Sequence, residues 1–85
     1  MFVVYSKPGC TYCTQAKALL EKYNKAYHEI QLDFGQARLA DDVFISRENF
    51  LLKYPSQKTL PYILAPDEKA IGSFSDLVAY LDFDF

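Results

Sequence analysis

Two cysteines, Cys10 and Cys13, are the residues of this sequence best suited to chemistry. They stand three positions apart in the stretch KPGCTYC and are the only cysteines among the 85 residues. A disulfide between them would close a loop too short to remove much entropy from the unfolded chain, so stabilisation explains the pair poorly. Thiol–disulfide exchange explains it better, because one thiolate can attack a disulfide and the second can release the product.

The residues around the pair predict a strand followed by a helix. Residues 2–5 form a continuous apolar, β-prone run typical of a buried strand, and Pro8-Gly9 ends it. Apolar residues at helical spacing then predict a helix over residues 11–24, namely Ala16, Leu19, Leu20 and Tyr23. Cys10 would therefore lie at the N-terminal end of a helix.

This position predicts different roles for the two thiols. Unpaired N–H groups and the positive end of the helix dipole stabilise a thiolate at Cys10, and Lys7 adds a nearby cation. Cys10 is therefore the predicted nucleophile. Cys13 would lie one turn inside the helix and is the predicted resolving thiol, which attacks the mixed disulfide and releases the reduced product.

The rest of the chain completes an α/β pattern in the order β-α-β-α-β-β-α. Alternation over residues 26–32 predicts a second strand, parallel to the first through a right-handed crossover. Residues 33–45 form either a long loop or a loop with a short helix around 38–44. The remaining predicted elements are a helix over 47–54 capped by Ser46, strands at 62–65 and 70–71, and a last helix capped by Ser73 or Ser75. We expect a single domain spanning residues 1–85.

Composition argues against several classes of function. The net charge is −2 with both signs interspersed, so nucleic-acid binding is not expected. The apolar runs are too short for a membrane span or a signal peptide, so we expect the protein to lie in the cytoplasm, where dithiols are usually kept reduced.

A zinc site needs four ligands, whereas the chain offers this pair and a lone His28 on a distant predicted strand. Two inert core cysteines remain an alternative on spacing alone, although a Cys-x-x-Cys in a βαβ pattern favours redox chemistry.

The sequence resembles the glutaredoxins over nearly its whole length. Four segments carry the resemblance, namely Lys7 to Cys13, Thr59-Leu60-Pro61, Ile71-Gly72-Ser73 and Ser75-Asp76. The compact size and the Ala65-Pro66-Asp67 turn are most similar to the small glutaredoxins of bacteriophages. The resemblance implies a thioredoxin fold, with a four-stranded mixed sheet flanked by about three helices, and a cis Pro61 beside Cys10.

The resemblance also implies a glutathione site. Lys7 and Gln57 would hold the glycine carboxylate, Tyr12 would line the groove, and the Leu60 backbone would pair with the cysteine of glutathione. The N–H groups of Ser75 and Asp76 would take the γ-glutamyl carboxylate, with the Asp76 side chain facing the ammonium. The full implied set is Lys7, Tyr12, Gln57, Thr59, Leu60, Pro61, Ser75 and Asp76, with no metal ligand.

Two positions depart from the family pattern, since Thr11 replaces a proline and Ser73 replaces a glycine. Residues 33–45 also form a longer connection than the family's usual one.

The function implied by the resemblance is that of a glutathione-dependent thiol–disulfide oxidoreductase. It would act as a monomer on glutathione mixed disulfides and on protein disulfides, including that of ribonucleotide reductase. Glutathione would be a co-substrate, and no cofactor would be tightly bound.

The sequence is also compatible with two other functions. The first is a redoxin of the same fold that thioredoxin reductase reduces directly. A thioredoxin itself is disfavoured, because thioredoxins carry Trp-Cys-Gly-Pro-Cys and this chain has no tryptophan. The second is a binding module whose cysteines hold zinc or an iron–sulfur cluster at a dimer interface.

Overall fold

A computed structural model of the chain describes residues 1–39, 41–57 and 59–83. Within these ranges five strands form one mixed sheet, and three helices pack on it. The elements are β1 (Phe2–Ser6), α1 (Thr11–Lys22), β2 (Tyr27–Leu32), β3 (Phe44–Ile45), α2 (Arg47–Lys53), β4 (Tyr62–Leu64), β5 (Ala70–Gly72) and α3 (Phe74–Phe83). The strand order is β3-β2-β1-β4-β5. The β1–β2 and β2–β3 pairs are parallel, whereas β1–β4 and β4–β5 are antiparallel.

The α/β class and the order of the seven expected elements are confirmed. The sheet has a fifth strand that the sequence did not predict, because Phe44 pairs with Gln31 and Ile45 with Leu32 at the sheet edge. Two residues are too few to show a period of two. The loop alternative for residues 33–45 is the correct one, since the described residues of this segment form turns and a strand but no helix.

Helix α1 ends at Lys22 rather than at the expected Asn24. Asn24 has a φ of 56°, which lies in the left-handed region and cannot continue a right-handed helix. Helix α2 begins as expected after Ser46, whose hydroxyl accepts a hydrogen bond from the Asn49 N–H at 3.0 Å. None of the helices in the described ranges is long and apolar enough to cross a membrane.

The sheet buries both of its faces, which explains why β1 is an uninterrupted apolar run. One face packs against α1 and α3 through Phe2, Val4, Ala16, Leu20, Ile63, Leu77 and Leu81. The other face packs against α2 through Tyr5, Leu32, Phe50 and Leu64. Alternate side chains of β1 thus enter opposite layers. The strand therefore holds the start of α1 at a fixed place relative to both layers.

Candidate active site

Cys10 is the N-cap residue of α1, as the sequence predicted. Its backbone is extended, and its Sγ accepts a hydrogen bond from the Cys13 N–H at 3.1 Å. The two cysteines are joined in a disulfide, with their Cα atoms 5.2 Å apart. Cys13 is only 2% exposed, whereas Cys10 is partly exposed. A substrate can therefore approach Cys10, while Cys13 is shielded beneath it.

The turn between β1 and α1 depends on Gly9. Its φ is +69°, a conformation that side-chain-bearing residues rarely adopt, while no heavy atom lies within 4 Å of where its Cβ would be. The requirement for glycine is thus conformational rather than steric. This turn brings the chain from the buried strand to an exposed helix N-terminus in four residues.

A second segment, Leu60-Pro61, lies against the cysteines. The peptide bond between these residues is cis, which confirms the expectation for Pro61. The carbonyl oxygen of Leu60 lies 3.8 Å from the Sγ of Cys10. Pro61 is fully buried, so the backbone of Leu60 is held beside the sulfur.

Two cavities share Leu60 in their linings, and the carbonyl of this residue lies beside the Cys10 sulfur. The first, here called the Arg47 cavity, has a volume of about 200 Å³ and is lined by Lys7, Leu32, Phe34, Arg47, Phe50, Leu51, Gln57, Thr59 and Leu60. The second, here called the Tyr12 cavity, has about 410 Å³ and is lined by Tyr12, Thr59, Leu60, Pro61, Ser73, Phe74 and Ser75. Both are bordered by Thr59 and Leu60, so they are neighbours, and the two together are here called the groove.

The groove collects all but one of the residues expected at the glutathione site. Lys7 and Gln57 border the Arg47 cavity, and Tyr12 and Ser75 border the Tyr12 cavity. The Tyr12 ring is 60% exposed and lies 5.9 Å from the Phe74 ring, centroid to centroid. The Gln57 side-chain amide donates to the Thr59 carbonyl oxygen at 2.7 Å, which holds this amide beside Thr59.

Asp76 is the exception, because it lines neither cavity. Its Oδ2 accepts hydrogen bonds from the Ser73 N–H at 2.9 Å and from the Ser73 hydroxyl at 3.0 Å. These bonds lower the pKa of the Asp76 carboxyl below its ordinary value, with the backbone N–H contributing most. The carboxylate thus closes the N-terminus of α3, immediately beside Ser75.

The departure at Ser73 is accommodated by the same contacts. Gly72, rather than residue 73, has the positive φ, at 118°, and a Cβ at Gly72 would collide with the Asp76 carboxylate. Ser73 instead lies at the N-cap position and supplies two donors to Asp76. Serine is therefore compatible with this turn, whereas the preceding glycine is required.

A third cavity, of about 430 Å³, is lined by Cys10 and Cys13 themselves and includes Ser6, Lys17 and Glu29 in its wall. The Glu29 carboxylate accepts a hydrogen bond from the Ser6 hydroxyl at 2.7 Å and forms an ion pair with Lys17 at 2.8 Å. This network joins β1, α1 and β2 below the disulfide.

Sequence reasoning also missed three residues of the Arg47 cavity, namely Phe34, Arg47 and Leu51. Their spacing carries no signal, because a loop and a helix bring them together only in the folded chain. His28 is exposed on β2. Among the described residues, no three His, Cys, Asp or Glu side chains come together as a possible metal site.

Comparison with known proteins places this site in a family. The glutaredoxin family model matches residues 2–68. Glutaredoxin 1 of Rickettsia bellii is 37% identical over 75 residues, which cover 88% of this chain and 70% of that protein.

Two solved structures share the fold. The crystal structure of glutaredoxin 1 from Francisella tularensis superimposes with a TM-score of 0.74 at 27% identity, covering 98% of this chain and 93% of that one. A buckwheat glutaredoxin–glutathione complex gives a TM-score of 0.69 at 25% identity, covering 98% and 69%. The thioredoxin fold expected from the sequence is thereby confirmed. The family match over most of the chain shows that this chain belongs to the glutaredoxins and is a thiol–disulfide oxidoreductase.

Proposed function

We propose that this glutaredoxin reduces disulfides through Cys10 and Cys13 at the expense of glutathione. The observation that carries the proposal is the pair of neighbouring cavities that share Leu60, with Lys7 and Gln57 lining one and Ser75 lining the other. The groove also presents a backbone carbonyl, that of Leu60, 3.8 Å from the reactive sulfur. These groups complement an extended tripeptide that carries charge at both ends.

The first step uses the position of Cys10 at the helix N-terminus. In the reduced protein, the Cys13 N–H and the helix dipole favour the Cys10 thiolate. This thiolate attacks one sulfur of the substrate disulfide. A bond forms between Cys10 and that sulfur, the substrate S–S bond breaks, and the other sulfur leaves as a thiolate.

The second step uses Cys13 against a protein substrate. Its thiolate attacks the Sγ of Cys10, forms the Cys10–Cys13 disulfide and expels the second substrate thiolate. A glutathione thiolate then attacks Cys10, and Cys13 leaves and takes up a proton. A second glutathione thiolate attacks the glutathione sulfur, which forms glutathione disulfide and returns the Cys10 thiolate.

Glutathione would lie along the groove in the direction implied by the family resemblance. Lys7 and Gln57 hold the glycine carboxylate, and the Leu60 backbone pairs with the cysteine as in a short β-ladder. The N–H groups of Ser75 and Asp76 receive the γ-glutamyl carboxylate. The Asp76 Oδ2 is engaged by Ser73, and the proposal assigns its other oxygen to the ammonium. The structural similarity to the buckwheat glutaredoxin–glutathione complex supports this binding mode.

We further propose that the chain acts as a monomeric single domain in the cytoplasm. Its substrates would include glutathione mixed disulfides and protein disulfides, with that of ribonucleotide reductase implied by the family resemblance. A partly exposed Cys10 above a buried Cys13 supports both reactions, because a bulky substrate can reach the first thiol without displacing the second.

The test is NADPH oxidation with a small disulfide under two recycling systems. One contains glutathione and glutathione reductase, and the other contains thioredoxin reductase alone. We expect turnover only in the first system, with a higher KM for glutathione in Lys7→Gln. Lys25→Gln, which removes a lysine outside all three cavities at this site, is the matched control. Turnover only in the second system would overturn glutathione dependence and leave the Cys10–Cys13 chemistry standing.

A further inference from the structure

The Arg47 cavity has more apolar surface than the glycine of glutathione requires. Leu32 and Phe50, at 5% and 3% exposure, form its floor. Phe34 and Leu51 form its walls and are 47% and 49% exposed. Glycine has no side chain, so bound glutathione would leave these walls facing water. A larger apolar residue at the same place would cover them.

The rim of this cavity is cationic. Lys7 and Arg47 both line it, and the Arg47 guanidinium lies 4.8 Å from the centroid of the Phe34 ring. A nearby carboxylate, Asp33, forms an ion pair with Arg38 at 2.7 Å and interacts more weakly with the charge of Arg47. An apolar cavity with two rim cations complements a ligand that has an apolar side chain followed by a carboxylate.

We propose that the Arg47 cavity is a specificity site for the protein substrate, which binds the apolar residue following the substrate's reactive cysteine. The rim cations then receive an acidic residue at the next position. This proposal rests on the proposed function, because placing glutathione's glycine at Lys7 and Gln57 fixes the direction of a bound chain. An extended peptide advances about 3.3 Å per residue, so the residue after the cysteine enters the cavity and the next one reaches its rim.

The first experiment measures how fast the reduced protein reacts with symmetric peptide disulfides. The peptides, blocked at both ends, read serine–cysteine–leucine–glutamate and serine–cysteine–glycine–glutamate. Cys10 attacks one half and expels the other as a thiolate, and Cys13 then expels the first half. Both halves are identical, so the attacked half always carries the tested residue. We expect the leucine peptide to react about tenfold faster, as measured by release of peptide thiol.

Two neighbouring leucines provide a matched pair of variants. Leu51 lines the cavity, whereas Leu52 is 80% exposed and does not. Leu51→Ser should bring the leucine-to-glycine rate ratio close to one, and Leu52→Ser should leave it unchanged. The rate with the glycine peptide shows whether each variant is folded and reactive. Phe34→Ala, which removes the opposite wall, should also lower the ratio.

Two cations of α2 test the charged rim in the same way. Arg47 lies over Phe34 at the cavity, and Lys53 lies over Tyr54 at 5.6 Å outside it. Arg47→Gln should slow the glutamate peptide about threefold relative to a glutamine peptide, in line with an exposed ion pair. Lys53→Gln should not change that ratio.

The outcomes separate this proposal from the proposed function. Equal rates for the leucine and glycine peptides in the unmodified protein would overturn the specificity site. A leucine preference that survives Leu51→Ser and Phe34→Ala would also overturn it, since the preference would then arise elsewhere. A different result would overturn the proposed use of glutathione: glutathione disulfide would react no faster than the disulfide of a blocked cysteine–glycine. A leucine preference that depends on Leu51 supports the site in either case.

Discussion

Cys10 and Cys13 differ in exposure, and this difference supports the roles proposed for them. Cys10 is partly exposed at the start of α1 and lies beside the groove, whereas Cys13 is buried beneath it. A disulfide on a large substrate can therefore be attacked by Cys10 alone. Cys13 needs access to only one atom, the Sγ of Cys10, and the helix turn provides it.

Replacing each of the two cysteines should therefore affect activity differently. Cys10→Ser should lower all disulfide reduction to background, because no nucleophile faces the groove. Cys13→Ser should abolish reduction of protein disulfides but retain deglutathionylation, where glutathione itself can resolve the mixed disulfide. The measurement is turnover of a glutathionylated peptide and of an intramolecular protein disulfide by each variant. Equal loss of both activities in Cys13→Ser would contradict a purely resolving role.

The chemistry-bearing residues could be predicted from the sequence because their signals are local. Cys10 and Cys13 stand next to a glycine turn and a helical stripe, and all of these lie within a few positions of one another. Phe34 and Leu51 could not be predicted as cavity walls, because a long loop and a separate helix bring them together. The family resemblance implies that the Asp76 carboxylate faces the glutathione ammonium, and the bonds from Ser73 engage one of its two oxygens.

At the scale of elements, the first turn of α3 both stabilises its helix and borders the groove. Ser73 and Asp76 close the first turn of the helix, and Ser75 between them borders the Tyr12 cavity. The N–H groups proposed to receive the γ-glutamyl carboxylate belong to the same turn. Loosening this cap should therefore weaken both the helix and the anion site.

Stability should depend on pH through Asp76. The hydrogen bonds from Ser73 lower the pKa of this carboxyl in the folded protein below its ordinary value of 3.8. The stabilisation is therefore present above 3.8 and is lost as the pH falls through the folded pKa. Asp76→Asn should lower the Tm at neutral pH, and its difference from the unmodified protein should shrink in acid. Thermal unfolding across this range measures the effect.

The matched control is Asp82→Asn, which removes an exposed carboxylate at the other end of α3. It should not lower the Tm at neutral pH. If the Tm of Asp76→Asn stays below that of the unmodified protein by the same amount down to strongly acid pH, the capping role is contradicted. A raised KM for glutathione disulfide in Asp76→Asn would, in addition, support its place in the groove.

The element pattern shows the limit of periodicity. Strand β1 and helices α1 and α3 are long enough for their apolar spacing to predict both type and position. Strand β3 has two residues and forms only because Phe44 and Ile45 meet the exposed edge of β2. Such a strand is specified by its partner rather than by its own sequence.

At the scale of the whole molecule, hydrogen bonds of tyrosine hydroxyls connect the helices to the sheet. The Tyr27 hydroxyl, on β2, donates to the Glu21 carboxylate of α1 at 2.9 Å. On the other face, the hydroxyls of Tyr5 and Tyr54 lie 3.2 Å apart, between β1 and the end of α2. Burial raises the pKa of Tyr27 to about 12, with the hydrogen bond to Glu21 adding to it, and burial also raises the pKa of Tyr54.

These shifts predict a loss of stability in alkaline solution. A raised folded pKa means that the stabilisation is complete below the ordinary tyrosine value of 10.0 and is lost as the pH rises towards about 12. Tyr27→Phe should be less stable than the unmodified protein at neutral pH, and the difference should shrink between these limits. Urea denaturation of the oxidised proteins at several pH values measures it, with the cysteines held in the disulfide.

Comparison between variants isolates Tyr27, because other groups that titrate in alkali are common to both proteins. Tyr80→Phe, which removes an exposed hydroxyl from α3 and keeps the ring, serves as the control and should keep the alkaline slope of the unmodified protein. If the curves of Tyr27→Phe and the unmodified protein run parallel across this range, Tyr27 does not govern the alkaline loss. If they converge, a single hydroxyl at the α1–β2 contact couples the folding of the molecule to its protonation. That contact closes the βαβ unit that carries both cysteines, so the same alkaline conditions should loosen the scaffold of the active site.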